Sequence, residues 1–213
     1  MQRWSVVIPV KPVSVGKSRL RGAVPEASHE ALALALARDT VAAVLACPEV
    51  GEALVVTDDP VVAEVVTALG ARVAPDAPGN GLNPAIRYGE SGFPARSWRA
   101  ALTADLPALR PAELAAALRA AAGTPLRRRF AADAPGTGTV LLTAPPGVPL
   151  DPRFGGPSAA AHAASGALAL TGDWPTLRRD VDTEADLDAA AHLGVGAHTT
   201  ALAPAPCGPA TPC

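Results

Sequence analysis

The sequence predicts a three-layer α/β protein, with a mostly parallel β-sheet between helices on both faces. Three observations favour this fold. The chain has 213 residues, of which 49% are hydrophobic, so one domain with a real core is expected. Only 3% are aromatic, so the core must be aliphatic. Short β-branched runs alternate with Ala-rich segments of helical length, which is the pattern of β-α-β units.

The first half of the chain alternates strands with helices. Residues 5–10 (SVVIPV) form a short β-branched run that leads into a loop, as a buried strand does. Ser28 can cap a helix that extends to about Ala46. Residues 32–37 alternate as a strand would, but the length and Ala content of the segment favour a helix. Further along we expect a strand at 53–57, a helix at 60–69 and a strand at 72–74.

The second half is less regular. Turn-forming residues at 75–83 precede a helical segment near 84–90, and residues 98–103 have the pattern of a central strand that stops before Asp105. The other expected elements are a helix at 111–122, weak strands near 126–131 and 139–143, a helix at 158–165, a strand near 167–170 and a helix that begins at Thr183. We expect one domain over residues 1–200. Residues 201–213 are rich in Ala and Pro and predict a mostly disordered tail.

Composition excludes several classes of function. A net charge of -2 and few aromatic side chains argue against nucleic acid as a partner. The three cysteines form no C-x-x-C pair, so they predict neither a disulfide framework nor a zinc site and favour a reducing cytoplasm. The chain shows no signal-peptide pattern and no apolar stretch of about 18 residues, so we expect no export and no membrane association.

The loop after the first strand predicts phosphate binding. Ligands of parallel sheets bind beyond the carboxyl ends of the strands, and here the chain places its only two lysines, Lys11 and Lys17. Gly16 lets the backbone approach a phosphate closely, and the ammonium charges can neutralise a triphosphate. A solvated basic loop is the alternative interpretation. The segment does not match a Walker P-loop, because the first glycine of that motif would have to stand at position 11, which is a lysine.

Acidic residues predict a magnesium site near this loop. Asp105 follows an apolar strand, and its carboxylate should project into the same cleft, although a turn or N-cap role is the alternative. Asp180 and Asp182 share one side of an extended segment, so either could be a second ligand. Asp186 has capping-box spacing from Thr183, which favours a structural role.

A further anion site is predicted before the helix at 158–165. Gly155 and Gly156 precede Ser158, where open N-H groups would attract a phosphate or carboxylate, and an ordinary Ser-capped helix is the alternative. Asn83 could likewise be only a helix cap. The four histidines, at positions 29, 162, 192 and 198, have no metal-ligand spacing, and phosphate and metal binding of this kind does not need them.

Together these segments resemble the guanylyltransferases of coenzyme F420 biosynthesis, within the superfamily of molybdenum-cofactor and sugar nucleotidylyltransferases. The resemblance extends to about Gly194 and implies a nucleotide-diphospho-sugar transferase-like, Rossmann-like fold. The motifs that carry it are VIPVKPVSVGKSRL, VVTDD, GLNPAI, ADLPAL, DPRFGGPSAAAH and DVDTEADL.

The resemblance implies a role for each matching residue. The triphosphate would be held by Lys11, Gly16, Lys17, Ser18 and Arg19, and the base and ribose by Gly81 and Asn83. Asp105 with Asp180 or Asp182 would bind Mg²⁺, and phosphoenolpyruvate would meet Thr139, Gly155 and Ser158. Among these, Lys17, Arg19 and Asp105 would act in catalysis. The family usually has F-G-x-G-S, whereas here Gly and Pro are exchanged in Phe154-Gly155-Gly156-Pro157-Ser158.

The predicted function is therefore transfer of GMP from GTP to phosphoenolpyruvate, with release of pyrophosphate, by a cytoplasmic monomer or homodimer. Two alternatives remain open at this point. The acceptor could instead be 2-phospho-L-lactate or 3-phosphoglycerate. The chain could also be a nucleotide-binding regulator without catalysis, which would bind GTP but release no pyrophosphate.

Overall fold

The computed structural model describes residues 3–14, 20, 23, 29–77, 79 and 81–202. Gly16, Lys17, Ser18 and Arg19 of the predicted triphosphate loop lie outside these residues, as do Ser28 and nearly all of the predicted tail. None of the helices in the described ranges combines the length and apolar character needed to cross a membrane.

A seven-stranded sheet forms the centre of the molecule, in the order β3-β2-β1-β4-β6-β5-β7. Strands β1 to β4 are parallel, and β6 runs antiparallel to both β4 and β5. Strand β7 is again parallel to β5. The strand bounds are Trp4–Pro9 (β1), Val50–Val56 (β2), Arg72–Ala74 (β3), Trp98–Leu102 (β4), Arg129–Ala132 (β5), Thr139–Ala144 (β6) and Leu168–Ala169 (β7).

Helices connect most of these strands, as the alternating sequence pattern predicts. Their bounds are His29–Leu45 (α1), Pro60–Ala68 (α2), Leu82–Ser91 (α3), Pro111–Ala121 (α4), Ser158–Ala164 (α5), Pro175–Arg178 (α6), Glu184–Leu193 (α7) and Ala197–Thr200 (α8). The alternation at 32–37 does lie in a helix. The short helices α6 and α8 were not predicted, since one turn is too short to show periodicity.

Aliphatic side chains fill the interior, in agreement with the composition. Val6, Ile8 and Val55 of the central strands are fully buried against residues of α1, α2 and α4. On the other face, a Cβ added at Gly89 of α3 would come within 2.8 Å of Val7 and Val56 side chains. The absence of a side chain at Gly89 therefore lets α3 lie directly on the sheet.

The direction of β6 determines what lies at the functional edge. The parallel strands β1, β2 and β4 end at one edge, where Pro9 is paired with Val56. Because β6 is antiparallel, its first residue, Thr139, lies at that same edge, next to the last residue of β5. Loops after β1, β2, β4 and β5 and the start of β6 thus meet on one side of the molecule.

Candidate active site

The start of the first loop is held against the turn that follows β2. The backbone N-H of Val13 donates to Oδ2 of Asp59 at 3.0 Å. Oδ1 of Asp59 accepts from the N-H groups of Val61 and Val62, at 2.9 and 3.3 Å, and so caps α2. Lys11 is exposed in this segment. The structure thus places residues 11–14, the start of the predicted triphosphate loop, at the carboxyl edge of the sheet.

Asp105 is fixed at the end of β4 by its neighbours. The hydroxyl of Thr40, on α1, accepts from the N-H of Leu106 at 2.9 Å and donates to the carbonyl of Leu36 at 2.8 Å. The carbonyl of Asp105 accepts from the N-H of Val181 at 3.0 Å. This last bond joins Asp105 to the segment that contains Asp180 and Asp182.

The carboxylate of Asp105 is close enough to affect the ionisation of Asp180. Burial is the main cause that raises the pKa of Asp180 to about 7, and the negative charges of Asp105, Asp182 and Asp133 contribute to the same rise. Asp182 is exposed, whereas Asp105 and Asp180 are half-buried. The structure therefore brings the predicted metal ligands together, with Asp180 the better enclosed of the two alternatives.

Asp133 belongs to the same acidic neighbourhood and was missed in the sequence. It follows β5, and its carboxylate accepts from the N-H groups of Thr137 and Gly138, both at 2.8 Å. The neighbouring N-H of Ala134 donates to the carbonyl of Arg178 at 2.8 Å. The turn between β5 and β6 thus lies beside the Asp180 segment. The local sequence pattern does not reveal the direction of β5 and β6, and without that direction Asp133 could not be placed near Asp180.

The described residues contain no group of three or more His, Cys, Asp or Glu side chains arranged to hold a metal ion. A pair of carboxylates is nevertheless the usual protein contribution to a Mg²⁺ site that substrate phosphates complete. Asp186 takes no part in the acidic pair. Its carboxylate and Thr183 form the predicted capping box at the start of α7, with a 2.9 Å bond from the Thr183 N-H to Oδ2 of Asp186.

Asn83 joins two of the predicted binding segments. Its Nδ2 donates to the carbonyl of Phe154 at 2.9 Å, and its Oδ1 accepts from the N-H of Phe154 at 2.8 Å. The helix α3 begins after Gly81 and has no side-chain cap, so the alternative role of Asn83 as a helix cap is wrong. Gly81 has a φ of +100° and a ψ of -175°, a conformation that favours glycine.

The predicted acceptor residues lie around α5. Ser158 is 2% exposed and is the first residue of the helix, while Pro157 occupies the N-cap position. The helix start carries no side-chain cap hydrogen bond, so Ser158 is not the ordinary cap of the alternative interpretation. Gly155 has a φ of +103°, and Thr139 is buried. The N-H of Ser158 donates to the carbonyl of Gly156 at 2.9 Å, and the N-H of Ala159 donates to the carbonyl of Thr137 at 3.1 Å. The prediction that these N-H groups are open to an anion is therefore wrong, because both are already hydrogen-bonded within the protein.

His162 is the second residue that sequence reasoning missed. It is fully buried on α5, with Nδ1 2.9 Å from the Thr139 hydroxyl and Nε2 accepting from the N-H of Arg153 at 2.9 Å. Burial, together with the positive charge of Arg128, lowers its pKa to about 4. A lone histidine on an Ala-rich helix carries no spacing signal, so only the fold reveals these contacts.

Comparisons with known proteins give close relatives and a common fold. No protein-family model matches the chain. The phosphoenolpyruvate guanylyltransferase of Salinispora arenicola is 67% identical over 211 residues, which cover 99% of this chain and 96% of that protein. The phosphoenolpyruvate guanylyltransferase of Geodermatophilus obscurus is 55% identical over 208 residues, covering 95% of this chain and 94% of that protein.

Among solved structures, a nucleotidyl transferase from Methanothermobacter thermautotroptrophicus has a TM-score of 0.65 at 18% identity, covering 91% of this chain and 98% of the other. The predicted α/β fold class is confirmed.

Proposed function

The chain belongs to the phosphoenolpyruvate guanylyltransferase family, and on that premise we propose that it transfers GMP from GTP to phosphoenolpyruvate. The products are pyrophosphate and enolpyruvyl-diphospho-guanosine, used in coenzyme F420 biosynthesis in the cytoplasm. One chain would hold both substrates, so a monomer and a homodimer would be equally competent.

The observation that carries the proposal is the pair Asp105 and Asp180 at the carboxyl edge of the sheet. The negative charge of Asp105 opposes ionisation of the half-buried Asp180 carboxyl group. Two such carboxylates at the same edge of the sheet as Lys11 suit a substrate that binds as a complex with a metal ion. If the two side chains had only a structural role, a pair of neutral side chains would be more favourable, because two like charges repel each other when they are partly buried.

The chemistry of the donor set fits Mg²⁺. Oxygen ligands from one or two carboxylates, with phosphate oxygens in the remaining positions, are what this hard cation prefers. Asp105 and Asp180 would hold it, and the exposed Asp182 lies two residues after Asp180. When bound, Mg²⁺ would neutralise charge on the phosphates during transfer.

The reaction needs no covalent bond to the protein. A phosphate oxygen of phosphoenolpyruvate attacks the α-phosphorus of GTP. The bond from that phosphorus to the bridging oxygen of the β-phosphate breaks, and pyrophosphate leaves with the electron pair. Lys17 and Arg19 would stabilise the charge on the departing pyrophosphate, while Lys11, Gly16 and Ser18 hold the triphosphate.

The remaining residues would orient the two substrates. Gly81 and Asn83 lie at the start of α3, where the base and ribose would be seated. Thr139, Gly155 and Ser158 would hold the carboxylate and phosphate of phosphoenolpyruvate. Catalysis in this proposal comes from positioning and electrostatics.

A pyrophosphate-release assay over four nucleoside triphosphates and three acceptors tests the proposal. GTP with phosphoenolpyruvate should give the highest kcat/KM. If 2-phospho-L-lactate or 3-phosphoglycerate gave the higher kcat/KM, that acid would be the acceptor instead of phosphoenolpyruvate. GTP binding without pyrophosphate release from any pair would contradict the enzyme and favour a regulator.

A matched pair of variants ties the activity to the acidic site. Asp105→Asn removes a negative charge with little change of shape and should lower the rate at limiting Mg²⁺. Asp188→Asn makes the same change at an exposed position of α7 and should leave the rate unchanged.

A further inference from the structure

His162 contacts two of the segments that make up the acceptor site. One ring nitrogen, Nδ1, lies 2.9 Å from the hydroxyl of Thr139 on β6. The other, Nε2, accepts from the backbone N-H of Arg153, which immediately precedes Phe154 and Gly155. The ring thus connects a predicted acceptor side chain to the main chain that leads into the glycine turn.

The surroundings of the ring fix its orientation. His162 is 0% exposed. The ring of Phe154 packs on it edge-to-face at 5.1 Å, and the ring of Phe130 lies 5.9 Å away. A fully buried ring between two aromatic side chains has little freedom to rotate, because close packing leaves no room for an alternative rotamer.

Hydrogen-bond logic then assigns the proton on each ring nitrogen. A backbone N-H can only donate, so Nε2 must be unprotonated. A neutral imidazole therefore carries its hydrogen on Nδ1, and the low pKa of His162, about 4, keeps the ring neutral at physiological pH. The hydroxyl oxygen of Thr139 therefore accepts from Nδ1, and the main chain of Ser158 is a further hydrogen-bond partner of the ring. The hydroxyl hydrogen of Thr139 is consequently directed to another acceptor.

We infer that His162 is a positioning residue of the acceptor subsite, which turns the hydroxyl hydrogen of Thr139 toward the bound acid and holds the main chain at Arg153. The inference rests on the proposed function, because it takes Thr139 and Gly155 as contacts of the acceptor. Its consequence is specific: loss of His162 impairs acceptor binding through Thr139 and leaves GTP binding intact.

Two conservative variants separate the hydrogen bond of the ring to Thr139 from its hydrogen bond to Arg153. In His162→Asn, the side-chain amide keeps a donor near the position of Nδ1 and loses the acceptor for Arg153. In His162→Gln, the longer side chain keeps an acceptor near the position of Nε2 and loses the donor to Thr139. His192→Gln, at an exposed position of α7, is the matched control.

The decisive experiment is a double-mutant cycle with Thr139→Val, using whichever phosphorylated acid the wild-type enzyme accepts. Thr139→Val should raise the KM for that acid about 10- to 150-fold, the range expected for one hydrogen bond to a charged group. His162→Gln should also raise the KM for the phosphorylated acid substantially and leave the KM for GTP unchanged. In the Thr139→Val background, His162→Gln should add little further loss. If the KM increases of the two single variants multiplied in the double mutant, or if the KM for GTP rose equally, the inference would be overturned.

A spectroscopic measurement tests the same inference without catalysis. Nitrogen-15 NMR of the histidine rings in the wild-type protein should show a neutral His162 with its hydrogen on Nδ1. A hydrogen on Nε2, or a charged ring at pH 7, would refute the assigned orientation of the Thr139 hydroxyl. Absence of any GMP transfer in the wild type would instead count against the proposed function, so the two failures are distinguishable.

Discussion

The side chain of Asn83 and the main chain of Phe154 exchange two hydrogen bonds, of 2.9 and 2.8 Å, across 71 positions of sequence. Asn83 stands two residues after Gly81, on the proposed nucleotide side of the site, and Phe154 precedes Gly155 on the acceptor side. The amide is therefore engaged with the protein main chain. This pairing suggests that any contribution of Asn83 to GTP binding is made by aligning the start of α3.

The first prediction concerns this pairing. Asn83→Asp keeps an acceptor for the N-H of Phe154 but places a carboxylate oxygen against the carbonyl of Phe154. The repulsion should separate the two segments, so the KM should rise for both GTP and phosphoenolpyruvate, and the melting temperature should fall by several degrees, because an unpaired buried polar group costs about 1–3 kcal/mol. Steady-state kinetics and thermal unfolding measure both effects. A rise in the KM for GTP alone, with unchanged stability, would mean that Asn83 contacts the nucleotide directly.

The second prediction follows from the raised pKa of Asp180, about 7, against an ordinary value of 3.8. Between these values the folded protein binds more protons than the unfolded chain, so the stability of the metal-free protein should decrease as pH rises from about 4 to 7. Asp180→Asn removes this penalty. Its melting temperature in the presence of a chelator should exceed that of wild type by several degrees at pH 7.5 and match it near pH 4.

The control for that measurement is Asp188→Asn, which removes an exposed carboxylate on α7 and should not alter the pH dependence. Mg²⁺ should raise the melting temperature of the wild type more than that of Asp180→Asn, because a ligand stabilises the folded state that binds it. Equal stabilisation of both proteins by Mg²⁺ would place the ion elsewhere.

The third prediction tests the triphosphate loop. Lys17→Ala should raise the KM for GTP and slow turnover, because a compact positive charge beside the departing phosphates would be lost. Arg127→Ala removes an exposed positive charge from a different loop and is the control. The fold should survive both changes. A Lys17→Ala enzyme with wild-type rate and KM would show that the loop interpretation is wrong.

Local sequence signals predicted much of the fold and of the acidic pair. The β-branched run before Pro9 and the Ala-rich segment at His29–Leu45 specify their own element types, because hydrophobic period and helix propensity are local properties. Asp105 could be placed because parallel strands end at a common edge. The capping box at Thr183 is likewise a contact between residues three positions apart.

Contacts between distant segments were beyond the local pattern. Thr139 and His162 are 23 positions apart and lie on a strand and a helix whose packing depends on the reversed direction of β6. Asp133 reaches the Asp180 neighbourhood for the same reason. Hydrophobic periodicity identifies each element but not its partner or its direction in the sheet, so these residues carried no recognisable signal.

The last prediction concerns Ser158, which the structure places at the start of α5 without a capping role for its side chain. Because it does not cap the helix, Ser158→Ala should change the melting temperature little. Loss of one hydrogen bond to the charged acceptor should raise the KM for phosphoenolpyruvate about 10- to 150-fold and spare GTP. Ser165→Ala at the opposite end of α5 is the matched control, since the hydroxyl of Ser165 donates to the carbonyl of His162 at 2.7 Å; it should cost a little stability and leave both KM values unchanged. Equal losses for GTP and phosphoenolpyruvate in Ser158→Ala would contradict two separate subsites, and a stability loss alone would make Ser158 a structural residue.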